Sequence, residues 1–265
     1  MDTANAIEIR DLNVDYGHRR ILSNINIDIP QGEIMVIMGG SGSGKSTLLR
    51  CILGLKKPSA GHITMLGTDI CHTSNKKLYA LREKMGVAFQ GGALFTSMTV
   101  AENIQLPLRE HTRLDENTIQ IMTRIKLDMV NMLPYEDLMP SELSGGMKKR
   151  AALARAIIMD PKLLFFDEPS AGLDPITSAE LDELIVMLKE SMKMTIVVVT
   201  HELESVFAIA DRIAILGEGE LVEIGTPDEI KSSSDERVIS LLNRTPRENN
   251  VDKDVHIERL TRDKE

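Results

Sequence analysis

Eight consecutive residues, Gly39-Gly40-Ser41-Gly42-Ser43-Gly44-Lys45-Ser46, have the types and spacing to hold a phosphate. They follow the pattern G-x-x-x-x-G-K-[ST] and run on into Thr47. Glycines let backbone N–H groups converge on an anion with no Cβ in the way. A helix starting at the end of the loop adds unpaired N–H groups and the positive end of its dipole. Lys45 is then placed to reach the β- and γ-phosphates, and the Ser46 hydroxyl to hold Mg²⁺. The alternative is a glycine-rich turn that binds nothing. The flanks oppose it, because Glu33–Met38 reads as a short buried strand and Thr47–Leu53 as a helix.

Two further stretches carry chemistry. Leu163-Leu164-Phe165-Phe166-Asp167-Glu168 is an apolar run ending in two acids. Acids at the carboxyl end of a buried parallel strand sit where ligands bind in open α/β sheets. Asp167 is placed to hold Mg²⁺ through its water shell, and Glu168 to polarise an attacking water. Taken alone they are two exposed acids at a strand end; beside a complete phosphate loop that account fails. Leu143-Ser144-Gly145-Gly146-Met147 opens a strongly helical stretch. It offers a second anion site from the Ser144 hydroxyl and the Gly145 and Gly146 amides. It is equally an ordinary helix cap, and the pattern by itself leaves both open.

The elements that must position these residues alternate between strand and helix. Ile7–Val14 and Ile21–Ile29 alternate apolar and polar residues around a Tyr16-Gly17 turn, which predicts antiparallel strands with one wetter face. Leu163–Asp167 and Thr195–Thr200 are continuous apolar runs, which predicts parallel strands covered on both faces. Strands are also expected at His62–Gly67 and Met85–Gln90, and helices at Leu78–Lys84 and Leu181–Met192. From Gly91 to about Ala156 the pattern turns helical, punctuated by Pro107, Pro134 and Pro140. Gly217-Glu218-Gly219 between two apolar runs predicts a hairpin, and Pro227–Leu242 one or two short helices. The predicted fold is α/β: a mostly parallel phosphate-loop core, an N-terminal antiparallel β subdomain and a helical insertion at about 91–160. The domain is expected to span residues 1–243, with a charged tail at 244–265 that either frays or orders on a partner.

A chain of 265 residues with 42% hydrophobic residues can bury a real core. No apolar run reaches membrane-span length, and the acidic start of the chain matches neither a signal peptide nor a transit peptide. Cys51 and Cys71 are the two cysteines and form no C-x-x-C, so a reducing compartment is expected and no thiolate metal site. A net charge of −9 argues against nucleic acid as a partner and against a polybasic membrane anchor. Membrane association is expected to run through a protein partner.

The loop at Gly39–Ser46, Gln90, the Leu143–Met147 signature, Asp167-Glu168 and His201 occur in an order that resembles an ATP-binding-cassette (ABC) ATPase over about residues 7–230. That resemblance implies ATP and Mg²⁺ as cofactors. It also implies that two copies pack head to tail, so that Ser144 and Gly146 of one contact the γ-phosphate on the other's loop. Tyr16 then stacks on adenine, where otherwise it is a turn tyrosine. Gln90 links Mg²⁺ and water to the helical region, where otherwise it is a strand-end glutamine. His201 contacts the γ-phosphate and supports Glu168. Ser170-Ala171-Gly172-Leu173-Asp174 joins one site to its partner's, with Asp174 either touching across the dimer or organising the loop.

Narrower segments resemble the ATPase subunits of Mla-type phospholipid transporters: Met147 where most cassettes have glutamine, Gly91–Val100 after Gln90, and Pro169-Ser170-Ala171-Gly172-Leu173-Asp174-Pro175-Ile176-Thr177. This implies peripheral residence on the cytoplasmic face of a Gram-negative inner membrane. It implies an integral-membrane permease, a periplasmic MCE lipid-binding protein and a small STAS-domain protein as partners. Ala93, Leu94, Phe95, Met98 and Val100 are more apolar than an exposed connector needs, and about half are expected to pack internally. The competing readings are a cassette importing another solute, a non-transport cassette in DNA repair or translation, and a module that binds nucleotide without turnover.

Overall fold

In the computed structural model, which describes residues 4–243, the chain starts with two long strands, β1 (Asn5–Tyr16) and β2 (Arg19–Pro30). They pair antiparallel, and β4 (Ala60–Met65) and β5 (Thr68–Asp69) complete a four-stranded sheet in the order β2-β1-β4-β5. The chain enters the second sheet through β3 (Ile34–Gly39), and α1 (Lys45–Ile52) follows its loop. After α2 (Asn75–Arg82) come β6 (Met85–Ala88) and three helices, α3 (Val100–His111), α4 (Glu116–Met129) and α5 (Gly145–Ile157). The remaining strands are β7 (Leu163–Asp167), β8 (Thr195–Thr200), β9 (Arg212–Gly217) and β10 (Glu220–Gly225). Between them lie α6 (Pro175–Met192) and α7 (Leu203–Ile209), and α8 (Pro227–Lys231) and α9 (Glu236–Leu242) close the described chain. The tail expected at 244–265 lies outside the described residues.

The second sheet has the order β10-β9-β3-β8-β7-β6, parallel throughout except for β10 at the edge. Its central strands are buried at nearly every position and apolar along their middles, because both faces are covered. Ile34, Val36, Met38, Leu164, Phe166, Ile196 and Val198 point into the core shared with the helical segment and α6. Met35, Ile37, Leu163, Phe165, Val197 and Val199 point the other way, onto α1 and the antiparallel sheet. Phe165 is fully buried, and truncation to Ala there costs about 3–5 kcal/mol.

Three sequence expectations shift. Pro107 lies inside α3 rather than ending it. The Thr99–Glu102 capping box and the buried Ile104 and Leu108 hold that helix across the missing N–H. Helix α6 begins at Pro175, not Leu181, because the Asp174 carboxylate caps it by accepting from the Ile176 and Thr177 N–H groups. Strand β6 stops at Ala88, so Gln90 sits in the turn beyond it. The predicted hairpin is present: Glu218 and Gly219 both have positive φ, as a two-residue loop between twisted strands requires.

Candidate functional site

The register of the parallel strands brings the reactive residues to one edge. Asp167 pairs with Val199, and Met38 with Thr200, so the ends of β7, β8 and β3 are level. The loop at Gly39–Ser46, the acids Asp167 and Glu168, and His201 all leave the sheet at this edge. That is where ligands bind in open parallel sheets.

The loop is held tightly at its start and open at its tip. A Cβ on Gly39 would lie 2.3 Å from the Leu216 carbonyl oxygen, so only glycine lets β3 run beside β9 there. Gly42 has φ +78° with open space around it. Gly44 caps α1 in a left-handed conformation. Lys45 is buried, and its ammonium donates to the Gly39 carbonyl at 2.7 Å and the Gly40 carbonyl at 3.1 Å. Burial lowers its pKa, while Glu168 and Asp167 pull it back up. Ser41 and Ser46 are exposed, Thr47 is half-buried, and Ser43 is buried with its Oγ unpartnered. A concave loop of amides at a helix N-terminus, a buried cation and an unsatisfied hydroxyl fit a polyphosphate.

Asp167 is half-buried at the end of β7. Burial raises its carboxyl above the ordinary value, as does neighbouring Glu168, while Arg50 and Lys45 oppose the shift. A desolvated acid beside Lys45 and near the start of α1, which carries Ser46, suits Mg²⁺ held with a phosphate. Glu168 follows in a left-handed conformation, φ 51°, fixed by its N–H to the Val199 carbonyl at 2.8 Å. This places its carboxylate against β8: Thr200 Oγ1 donates to Oε2 at 3.2 Å, and His201 Nδ1 lies 2.9 Å from both oxygens. Glu168 is 15% exposed and His201 58%, so the carboxylate is sheltered while the ring faces outward. A sheltered carboxylate oriented by a histidine can act as a base toward water.

Ser144 caps α5, accepting from the Met147 N–H at 3.2 Å. A Cβ on Gly146 would meet Thr177 Cγ2 at 2.6 Å, which explains glycine there. Gly145 and Ser144 are exposed. Tyr16 is 44% exposed, with Lys56 Nζ 4.3 Å from its ring centroid. Gln90 is exposed and lines a small cavity with Phe89, Lys149 and Pro169. Within this one chain, Lys45, Asp167, Glu168 and His201 converge. Among the described residues no side-chain hydrogen bond or ion pair joins Tyr16, Gln90 or the Ser144–Gly146 helix start to them.

Three residues were missed in the sequence. Lys149 donates to the Ala171 carbonyl at 2.6 Å and to the Pro169 carbonyl, clamping the turn after Glu168 to α5. The signal was available, since Lys149 lies one helical turn beyond Gly145. Asn103, fully buried, bonds the Phe95 N–H and accepting carbonyls of Phe95, Met98 and Thr99. Arg155 donates to the Gly92 and Ala93 carbonyls. Together Asn103 and Arg155 hold the Gly91–Thr99 segment, and no local pattern announced either.

This geometry defines a phosphate-loop nucleoside triphosphatase: an anion-binding loop, an acid at a strand end and a histidine-oriented carboxylate beside it. A family model described as "ABC transporter" matches residues 22–171. The chain belongs to the ABC transporter family and is an ATPase of it. It is 45% identical over 238 residues, 90% of each chain, to the Haemophilus influenzae "Intermembrane phospholipid transport system ATP-binding protein MlaF". The Escherichia coli K12 protein of that name is 44% identical over 90% of this chain and 89% of its own. A Mycobacterium leprae protein, "Probable ribonucleotide transport ATP-binding protein mkl", is 42% identical over 88% of this chain and 67% of its own. Among solved structures, a dimeric ATP-binding cassette in a post-hydrolysis state bound to ADP and Pi matches with TM-score 0.76 and 30% identity. That match covers 83% of this chain and 98% of the cassette. The cbiO1 cassette from Clostridium perfringens matches with TM-score 0.81 and 31% identity, over 96% of this chain and 99% of its own.

Proposed function

We propose that this chain is the ATP-hydrolysing subunit of a transporter that moves phospholipid between the inner and outer membranes and so maintains outer-membrane lipid asymmetry. The observation that carries the cargo is the 44–45% identity, along about nine-tenths of the chain, to two proteins named for phospholipid transport. Among the described residues no helix is long and apolar enough to cross a membrane. The reading therefore places the chain peripherally, on the cytoplasmic face of the inner membrane, under an integral-membrane permease. A periplasmic MCE lipid-binding protein and a small STAS-domain protein complete the proposed assembly.

Two copies pair around two ATP molecules. Gly39–Ser46 cradles the phosphates, Lys45 exchanges its two loop carbonyls for β- and γ-oxygens, and Tyr16 stacks on adenine. Ser144 and the Gly145 and Gly146 amides of the second copy meet the same γ-phosphate. Ser46, Asp167 and Gln90 would hold Mg²⁺, which would neutralise developing charge on the phosphates. Glu168 takes a proton from the attacking water, with His201 holding its carboxylate in place. Loss of the γ-phosphate removes the charge that joined the copies, and the difference in contacts between the two states drives the permease.

The test is mass spectrometry of the complex gently purified from its native membrane. Two copies of this chain with a permease, an MCE subunit and phospholipid are expected. A permease with another solute-binding protein would overturn the cargo and leave the ATPase standing. The mycobacterial relative, 42% identical and named for ribonucleotide transport, makes a polar solute the second reading.

A further inference from the structure

Three consecutive residues at the end of β8 each hold a different part of Glu168. The Val199 carbonyl accepts the Glu168 N–H at 2.8 Å. The Thr200 hydroxyl donates to Oε2 at 3.2 Å. His201 Nδ1 lies 2.9 Å from both carboxylate oxygens. Glu168 needs this support, because its φ of 51° is disfavoured for a residue with a Cβ and persists where the surroundings over-determine it.

A threonine at a strand end is usually a local turn-former. Thr200 does that too, accepting the Glu202 N–H at 3.1 Å. That bond decides where its proton goes. A hydroxyl has one proton to give. With a lone pair facing the Glu202 N–H, the proton's acceptor among the described residues is Glu168 Oε2. Thr200 is fully buried, so bulk water does not compete for the proton. Its branched Cβ restricts χ1, which keeps the hydroxyl aimed. His201 differs. Its ring is exposed, and Nε2 lies 3.6 Å from a carboxylate oxygen of Glu202. The hold of Thr200 on Oε2 does not depend on that ring.

We infer that Thr200 is a positioning residue for ATP hydrolysis: it pins Oε2 of Glu168 and leaves Oε1 as the oxygen that takes the water's proton. This rests on the reading of Glu168 as the base. Oε2 has two side-chain partners, Thr200 and His201, whereas Oε1 has His201 alone among the described residues. A carboxylate pinned by one oxygen keeps the other in a constant place for proton transfer. The water oxygen bonds to the γ-phosphorus, its proton passes to Oε1, and the bridging oxygen leaves with ADP and the bonding electron pair.

The test is phosphate release from Mg-ATP by the full chain in its native complex, with ATP affinity measured by equilibrium binding. Thr200→Val keeps the shape and removes the hydroxyl. It is expected to lower kcat by about ten- to a hundredfold, the scale of a small misplacement of a reacting group. KM for ATP and ATP affinity should change little. Thr200→Ser keeps the hydroxyl and should recover most of the loss. Thr200→Cys is a poor donor that still offers sulfur to the Glu202 N–H. It should also lower kcat, and it carries the test if the valine variant fails to fold. In a Glu168→Gln background Thr200→Val should add little, because both changes act through one group. Wild-type kcat in Thr200→Val or Thr200→Cys, no recovery in Thr200→Ser, or an equal loss with and without Glu168 overturns the inference and leaves Glu168 as the base. Normal turnover by Glu168→Gln overturns the reading beneath it instead.

Discussion

His201 Nδ1 lies 2.9 Å from both carboxylate oxygens of Glu168, two residues delivered by the ends of adjacent parallel strands. Replacing Glu168 with Gln removes the base while preserving shape. ATP hydrolysis is expected to fall by about 10²–10⁴-fold, with nucleotide still bound and the paired form accumulating. Phosphate release and size-exclusion chromatography with ATP read both. Normal turnover by this variant would take Glu168 out of the reaction. His201→Ala should slow hydrolysis by orienting Glu168 less well, with little effect on ATP affinity in equilibrium binding.

Lys149 is expected to act as a positioning residue. Its two bonds to the turn after Glu168 hold that carboxylate's backbone relative to α5. Lys149→Met should lower kcat by about ten- to a hundredfold, the scale set by small misplacements of a reacting group. KM for ATP should move little. Lys149→Arg, which keeps a cationic donor, should recover part of the loss. A purely structural role would give a lowered melting temperature and no such split.

Asp167 links function to stability. Burial first, then Glu168, raises its carboxyl above 3.8 in the fold. Between 3.8 and that raised value the folded state holds more protons than the unfolded, so this group's contribution to stability falls as pH rises through the window. At neutral pH it is destabilising. Asp167→Asn is therefore expected to raise the melting temperature of the nucleotide-free protein at pH 7. The gain should vanish as pH falls through the folded value toward 3.8. The same variant should lose Mg²⁺-dependent hydrolysis. Melting curves across pH and phosphate release at varied Mg²⁺ test the pairing.

Two loop glycines should respond differently to alanine. At Gly42 the cost is the left-handed backbone alone, about 1–2 kcal/mol, since nothing lies within 4 Å of a Cβ. At Gly39 the Cβ meets the Leu216 carbonyl oxygen at 2.3 Å. Overpacking then costs about 1–3 kcal/mol and displaces the loop. Denaturant titration should rank Gly39→Ala below Gly42→Ala.

The segment after Gln90 offers a contact for the proposed permease. Phe95 is 50% exposed, with its backbone fixed by Asn103. Val100 is buried and Leu94 packs partly on the core. Phe95→Asp is expected to uncouple ATP hydrolysis from transport while leaving fold and nucleotide affinity intact. Leu94→Asp should also lower stability. Transport at the wild-type rate in both variants would remove this segment from the interface.

Local chemistry was legible in the chain itself. The phosphate loop announces itself because its glycines, Lys45 and Ser46 are contiguous and act through backbone geometry. Continuous apolar runs at Leu163–Phe166 and Thr195–Val199 predicted two-faced burial, since alternate residues of a strand must each find a core. What depends on register was not legible from spacing. That His201 supports Glu168 came only through the family resemblance, because the pairing needs β7 and β8 side by side and in step. Lys149 and Arg155 act through carbonyls about 20 and 60 residues away in the chain. Pro107 stands inside a helix because tertiary burial outweighs one lost hydrogen bond. Contiguous spacing encodes a backbone-built site directly; a site built by side chains from separate elements waits on the packing that brings them together.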